Sequence, residues 1–188
     1  MTMVKETVHV VENVLSDDEC AYFSKKLLQK FGEGGLKPFP DVPYLLVLED
    51  TDETDKLFMQ KCYDLFSGQV METYGEGPYM YLDGSLTLWQ PGQEGSPHVD
   101  NADPNIKSHN AKYSAIFYLN DDYEGGEIHF PNLGFSYKPV KGSFVWFPND
   151  PIAPGEDWHD WFHHDHLHTV KKVLGNYRFT LPIWIGKD

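Results

Sequence analysis

Apolar residues in the first 79 positions recur mainly at helical spacing. Ser16 and Glu19 form a capping box, which favours the start of a helix at this point. Apolar side chains then return at helical spacing, first at Tyr22, Phe23, Leu27 and Leu28 before Gly32, and again before Gly75. The pattern predicts a strand at Thr7–Val14, a helix that begins after Ser16, a short strand at Tyr44–Leu48 and a helix at Asp50–Tyr74. One face of the second helix should carry Leu57, Phe58, Cys62, Leu65, Phe66 and Val70.

From about Met80 onwards, short apolar runs alternate with turns rich in Gly, Pro and Asn. These runs predict strands at Leu86–Gln90, Tyr113–Leu119, Glu127–Phe130, Phe135–Tyr137, Ser143–Phe147, Thr169–Val173 and Tyr177–Ile185. The turn at Leu174–Asn176 predicts that the last two form a hairpin. Helices followed by many short strands indicate an α+β fold with helices packed on one sheet. We expect a single domain over 1–188, with a helical support region at 1–79 and a β-core at 80–188.

The charge balance narrows the range of partners. The chain of 188 residues has 29 acidic and 15 basic side chains, a net charge of −14. Such a charge disfavours a nucleic-acid partner, because affinity for nucleic acids rests on Lys and Arg. No apolar stretch approaches the roughly 20 residues of a membrane span, and no signal peptide is visible, so we expect a soluble cytoplasmic protein. The spacing of Cys20 and Cys62 fits no metal or redox motif, and both are expected to be small buried hydrophobes.

Histidine is the one residue type in marked excess, with nine in the chain and five of them between positions 159 and 168. His98 and Asp100 are two residues apart, so in extended chain they present a nitrogen and a carboxylate oxygen to one point. Two histidines and one carboxylate leave half an octahedron open, as in Fe(II) oxygenases. His168 is the best-placed third ligand because it opens the predicted final strands. On the residues alone, His163, His164 and His166 stay open as alternatives.

Arg178 is the one basic residue predicted to point into the β-core. Strand alternation places Arg178, Thr180 and Trp184 on the same side as His168 and Val170. A buried guanidinium needs an anionic partner. That partner is either a bound dicarboxylate, which matches the two-bond fork of Arg, or an internal Asp or Glu.

Together these motifs resemble the Fe(II)- and 2-oxoglutarate-dependent dioxygenases, most closely the prolyl 4-hydroxylase group. The resemblance covers nearly the whole chain and rests on VENVLSDDEC, WQPGQEGSPHVD, YSAIFYLNDDYEGGEIHFP, KPVKGSFVWFPN, and HLHTV followed by GNYRFTLPIWI. It implies a double-stranded β-helix core of the jelly-roll or cupin-like type. It also implies that Fe(II) is bound by His98, Asp100 and His168.

The resemblance places further residues around the cosubstrate. It implies that Arg178 and Tyr118 hold the far carboxylate of 2-oxoglutarate, and that Trp184 lines the site beside the metal. Trp89 stands where the group often has Tyr, and its indole can donate a hydrogen bond but cannot accept one. Strand parity adds Thr180 as a hydrogen-bonding partner of the cosubstrate. The remaining loop histidines, His159, His163, His164 and His166, have no assigned role beyond a solvated loop that pairs with Glu156, Asp157, Asp160 and Asp165.

The function implied is hydroxylation of an unactivated C–H bond with O₂, which releases succinate and CO₂. Ascorbate is a candidate reductant for the iron. The leading hypothesis is a prolyl residue in a peptide or protein as substrate. Two alternatives stay open: hydroxylation of a free amino acid or small metabolite, and a non-enzymatic cupin-like metal-binding module.

Overall fold

The computed structural model describes residues 2–5, 7–39, 42–46, 52–102, 105–151 and 160–187. Its two α-helices are α1 (Asp17–Gly32) and α2 (Glu53–Tyr74). Its strands are β1 (Thr2–Lys5), β2 (Val8–Val11), β3 (Lys37–Phe39), β4 (Val42–Leu46), β5 (Met80–Gly84), β6 (Leu86–Trp89), β7 (Ala111–Tyr118), β8 (Glu124–Gly125), β9 (Ile128–Phe130), β10 (Phe135–Tyr137), β11 (Phe144–Pro148), β12 (Thr169–Val170), β13 (Val173–Leu174) and β14 (Arg178–Gly186). Short 3-10 turns occupy Lys107–Asn110 and Asp160–His163.

The strands form one large sheet and two small ones. The large sheet has the order β1-β2-β11-β7-β14-β6-β4-β3, and β5 pairs with the C-terminal half of β14. The small sheets are β10-β9-β12 and β13-β8. Because β1 to β4 belong to the large sheet, the first 79 residues contribute strands as well as helices to the β-core. The single domain that the sequence indicates stays a prediction.

The residues of β14 alternate between two environments. Phe179, Leu181 and Ile183 are buried in the core beneath the helices, where they meet Phe23 of α1 and Phe66 of α2. The intervening residues of β14 point to the opposite face of the sheet, as the period of two requires. Helices on one face of an antiparallel sheet confirm the predicted α+β class.

A second apolar layer fills the space between the large sheet and the small ones. Tyr118 and Phe147 from the large sheet pack there with Ile128 and Phe130 of β9. The result is a three-layer arrangement of helices, large sheet and small sheets. The predicted site residues of β14 also point into this space between the large sheet and the small ones.

Apolar spacing alone misplaced part of both helical faces. Leu57 is 64% exposed, although the predicted face of α2 included it, and Tyr22 and Leu28 of α1 are also exposed. Cys20 and Cys62 are buried and free, as predicted. Neither helix in the described part of the chain is both long and apolar enough to cross a membrane.

The predicted hairpin after Thr169 does not form. β12 pairs with β9 and β13 with β8, whereas β14 pairs with β7 on one edge and with β6 and β5 on the other. The turn at Leu174–Asn176 therefore joins the two facing layers instead of two neighbouring strands. In the large sheet β14 has hydrogen-bonded neighbours on both edges, which leaves no free edge for a hairpin partner.

An ion cluster ties α1 to the start of α2. Lys26 Nζ lies 3.0 Å from Asp52 Oδ2 and 2.5 Å from Asp55 Oδ1, and the Asp55 side chain is only 5% exposed. Replacing Asp55 by alanine leaves a largely buried ammonium without its nearest carboxylate. We expect Asp55→Ala to lower the free energy of unfolding by about 2–3 kcal/mol in denaturant titrations.

The matched control is Asp64→Ala on an exposed position of α2, where the carboxylate accepts a hydrogen bond from Gln60. This change should stay within about 0.5 kcal/mol of the parent protein. Equal losses in the two variants would contradict a stabilising role for the Lys26–Asp55 pair.

Candidate metal centre and anion pocket

Three predicted ligands converge from two irregular segments of the chain. His98 and Asp100 follow β6, and His168 directly precedes β12. The backbone N–H of His98 donates to the carbonyl of His168 over 2.9 Å, and the reverse bond measures 3.0 Å. This isolated antiparallel bridge holds the two histidines side by side.

The side chains of the triad surround one point. Asp100 Oδ1 lies 3.5 Å from His98 Nε2 and 3.7 Å from His168 Nε2. One candidate ligand atom from each residue lies within 4.8 Å of the others, and no other such group of His, Cys, Asp or Glu occurs among the residues that the structure describes. The donor set of two imidazoles and one carboxylate suits a divalent metal ion with open positions.

Hydrogen bonds fix which nitrogen of each histidine faces the centre. Nδ1–H of His98 donates to the Ser96 carbonyl over 2.8 Å, and Nδ1–H of His168 donates to the His166 carbonyl over 2.9 Å. A carbonyl can only accept, so the hydrogen sits on Nδ1 and the Nε2 lone pair points to the centre. Metal-binding histidines are commonly oriented in this way.

The electrostatics of the triad favour the metal-binding protonation states of Asp100 and His168. Burial raises the pKa of Asp100, but the neighbouring His168 and His98 lower it more, so the carboxylate stays ionised. Burial lowers the pKa of His168 to about 4, against the attraction of Asp100. Burial also acts to lower the pKa of His98, yet Asp100 raises it above the ordinary value. The His98 side chain is 47% exposed, so the centre opens to solvent on that side.

Arg178 forms a buried cation between Trp89, the last residue of β6, and Tyr118 of β7. Its side chain is 1% exposed, and its guanidinium lies 5.5 Å from the Trp89 ring centroid and 5.4 Å from that of Tyr118. Within the described ranges, neither Nε nor Nη2 of Arg178 has a hydrogen-bond partner, and no acidic side chain forms an ion pair with it. Of the two partners that the sequence left open, the internal carboxylate is therefore absent from this part of the chain. The arrangement fits a bound anion.

Two buried phenols face the same guanidinium. Burial raises the pKa of Tyr118 and of Tyr123, and the charge of Arg178 opposes that rise in both. The hydroxyls approach the guanidinium closely enough for this effect, but neither forms a hydrogen bond of good geometry with a described residue. Three donor side chains, one guanidinium and two phenols, thus converge with no carboxylate paired to them among the described residues, which is costly unless an anion completes the site.

Tyr123 is the residue of this pocket that sequence reasoning missed. The signal that marks it is the Gly125–Gly126 turn that follows. A Cβ on Gly126 would lie 2.8 Å from the Tyr123 ring and 3.1 Å from Arg178 Cδ, and the φ of Gly126 is +67°. Only glycine lets the loop close tightly over both side chains.

The structure places the other predicted site residues around this pocket. Trp89 is 7% exposed and packs with Tyr123, Val170 and Val173 as an apolar wall beside Arg178. Trp184 lies opposite Ser114 of β7, and its buried indole Nε1 has no partner among the described residues. The hydroxyl of Thr180 forms a hydrogen bond with that of Thr87. Its contact with a cosubstrate stays a prediction.

The remaining loop histidines differ in their surroundings. His163 is exposed, and His164 Nδ1 lies 3.9 Å from Asp150 Oδ2. His166 is buried and bound to Asp150, so its partner is outside the set of acids that the sequence suggested. His159, Glu156 and Asp157 lie outside the described residues.

The sequence matches the family model described as the 2OG-Fe(II) oxygenase superfamily over residues 84–186, more than half of the chain. The chain belongs to this superfamily. The match spans the triad and the Arg178 pocket, and the family implies Fe(II) and 2-oxoglutarate as the groups that this oxygenase uses. None of the curated proteins matches the oxygenase at a significant level.

Solved structures share the fold of the oxygenase at low sequence identity. A Pseudomonas putida prolyl-4-hydroxylase has a TM-score of 0.74 and 17% identity over 99% of this chain and 95% of its own. The 2-oxoglutarate complex of a viral collagen prolyl hydroxylase from Paramecium bursaria Chlorella virus-1 has a TM-score of 0.71 and 19% identity over 97% of both chains. A Trichoplax adhaerens prolyl hydroxylase was solved with a hypoxia inducible factor peptide fragment. It has a TM-score of 0.69 and 14% identity over 98% of this chain and 86% of its own. These similarities confirm the double-stranded β-helix fold.

Proposed function

We propose that this oxygenase hydroxylates an unactivated C–H bond of a prolyl residue in a peptide or protein, with Fe(II) held by His98, Asp100 and His168. Two observations carry the proposal: the convergent triad, and the buried guanidinium of Arg178, whose Nε and Nη2 have no hydrogen-bond partner among the described residues. When bound, Fe(II) and 2-oxoglutarate supply the oxidation by O₂, with release of succinate and CO₂. A metal-storage module of the cupin type would have no use for a buried cation of this kind.

Different residues of the candidate site would bind the cosubstrate and the metal ion. Arg178, Tyr118 and Tyr123 would together donate hydrogen bonds to the far carboxylate of the cosubstrate. Trp89 excludes water from the guanidinium, which strengthens the interaction between opposite charges. The neutral His168 and the ionised Asp100 supply lone pairs without first losing a proton.

Solved prolyl hydroxylases share this fold, and they support a prolyl substrate. The Trichoplax enzyme was solved with a peptide fragment, and the P. putida protein is itself named as a prolyl-4-hydroxylase. In the present chain the exposed side of His98 leaves an open approach to the centre. Such an approach accepts a segment of a longer chain as readily as a free amino acid or small metabolite, which is the alternative substrate class.

Mass spectrometry distinguishes the two substrate classes. The protein is incubated with Fe(II), 2-oxoglutarate, ascorbate and O₂, either with a proline-rich peptide library or with a panel of free amino acids. We expect peptides to gain one oxygen atom at proline, together with an equivalent amount of succinate. Oxygen gain only among the free amino acids would replace the prolyl proposal by the alternative. Reactions with His168→Ala in place of the parent protein measure the background.

A further inference from the structure

His166 lies two residues before His168 and is held on several sides. Its backbone N–H donates to Asp150 Oδ2 over 2.9 Å, and its Nδ1–H donates to Oδ1 of the same carboxylate over 3.0 Å. On the other side of the ring, Nε2 accepts a hydrogen bond from the Thr7 hydroxyl over 2.9 Å. The ring also stacks on Phe147 with an interplanar angle of 10°. With both ring nitrogens engaged, His166 has no lone pair for a metal ion and has a fixed position.

The position of His166 determines the orientation of His168. The His166 carbonyl accepts the Nδ1–H bond of His168, which directs Nε2 of His168 towards Asp100. The Phe147 ring lies near both imidazoles, with its centroid 6.2 Å from that of His166 and 4.9 Å from that of His168. A displacement of His166 would therefore rotate His168 or break its Nδ1–H bond.

Asp150 also reaches the segment that carries the other two triad residues. Its backbone carbonyl accepts a hydrogen bond from Asn101 Nδ2 over 2.9 Å, and Asn101 directly follows Asp100. Both triad-bearing segments lie outside the named strands, so they lack regular sheet ladders to hold them. One residue, Asp150, thus contacts both segments that must meet at the metal.

We propose that Asp150 and His166 are positioning residues of the metal centre, with the Asp150 carboxylate holding His166 so that its carbonyl orients His168 towards the metal. This inference rests on the proposed function, because it takes the triad as the metal ligands. It gives a role to His166, one of the loop histidines to which the sequence alone assigns none.

The test measures metal binding itself. Metal-free protein is titrated with Co²⁺ under anaerobic conditions and without 2-oxoglutarate, followed by calorimetry and by the visible absorption of bound Co²⁺. Asp150→Ala removes both acceptors of His166, and we expect Co²⁺ affinity to fall about 10- to 100-fold with an altered absorption spectrum. His166→Phe keeps the stacked ring but removes both ring nitrogens, and we expect a loss of about tenfold.

Asp150→Asn separates hydrogen-bond geometry from charge. The amide oxygen can accept the His166 backbone N–H, while Nδ2–H donates to Nδ1 of the other histidine tautomer. Nε2–H then donates to Thr7, so the whole arrangement is kept. We expect Co²⁺ affinity within about threefold of the parent protein. A loss as large as that of Asp150→Ala would overturn the positioning role, because the carboxylate would then act through its charge alone.

Two controls separate positioning from general loss of stability. Asp165→Ala removes an exposed carboxylate from the same loop, and Asp55→Ala destabilises the fold at the junction of α1 and α2. Both should bind Co²⁺ as the parent protein does. The inference is overturned if Asp150→Ala also binds like the parent, or loses no more affinity than Asp55→Ala.

A failure of the proposed function gives a different result. In that case the parent protein would bind Co²⁺ no more tightly than His168→Ala, and the triad would not be the metal site. Parent-like binding by Asp150→Ala, combined with a strong loss in His168→Ala, would remove only the positioning role.

Discussion

Replacing His168 by alanine is expected to lower the metal affinity of the protein at least about 100-fold and to abolish succinate release. The change removes one of three ligands, whereas outer residues that merely orient a ligand already cost about 10- to 100-fold. Asp100→Ala should have an effect at least as large, because it also removes the one negative charge among the ligands. Co²⁺ titration of the metal-free protein and a succinate assay with the peptide library measure the two effects.

The control for this prediction is His163→Ala on the same loop. His163 is exposed, and we expect its removal to leave metal affinity and turnover unchanged. The unfolding midpoint of each metal-free variant shows whether the fold is intact. Parent-like metal affinity in His168→Ala would disprove the assignment of the triad.

Features that depend on local spacing were accessible from the sequence. The alternation along β14 predicts that Phe179 and Arg178 face opposite sides of the sheet, because a strand has a period of two whatever its neighbours are. His98 and Asp100 also meet as their separation of two residues predicts, although their segment lies outside the named strands. The capping box at Ser16 forms as predicted, since its partner Glu19 is three residues away.

Features that depend on contacts between distant segments were not accessible. The contact of His166 with Asp150, which fixes the carbonyl that His168 bonds to, joins the residues just after β11 to the residues just before β12. Tyr123 joins the Arg178 pocket only because the Gly126 turn folds over it. Leu57 follows the apolar period of α2, yet no layer covers it in the described structure. Periodicity shows which residues share a face and does not show what lies against that face.

The family resemblance selected His168 as the third metal ligand among the histidines that spacing alone left as candidates. Five histidines lie between positions 159 and 168, and the residues alone favour His168 only because it opens the final strands. The structure brings His168 together with His98 and Asp100, and it engages both ring nitrogens of His166 elsewhere. Two of the five clustered histidines thus have an assignment, His168 as a candidate metal ligand and His166 as the residue whose carbonyl orients it.

Replacing Arg178 by methionine is expected to change stability and cosubstrate affinity in opposite directions. Methionine is unbranched, uncharged and shorter than arginine, so it fills part of the same space and removes a buried cation that has no acidic partner among the described residues. The metal-free, cosubstrate-free protein should therefore gain about 1–3 kcal/mol in its free energy of unfolding. The same change removes the charged donor of the anion pocket, so 2-oxoglutarate should bind about 10- to 100-fold more weakly.

Graded variants show whether the guanidinium fork and the phenols act together. Arg178→Lys keeps the charge but loses the two-bond geometry, and its affinity for 2-oxoglutarate should fall between those of the parent and Arg178→Met. Tyr123→Phe removes one neutral donor, and a loss of about 3- to 10-fold is expected. Calorimetry with the Mn²⁺-loaded protein under anaerobic conditions measures 2-oxoglutarate binding, and KM measures the cosubstrate requirement during turnover.

The matched control is Lys171→Met, which removes an exposed cation from the segment after β12. It should alter neither the free energy of unfolding nor the affinity for 2-oxoglutarate. Arg178→Met with unchanged 2-oxoglutarate affinity would exclude Arg178 from the cosubstrate site. Loss of stability in place of a gain would show that the guanidinium is compensated within the protein itself. The opposite signs expected for the two measurements are the signature of a residue kept for binding at a cost to the stability of the fold.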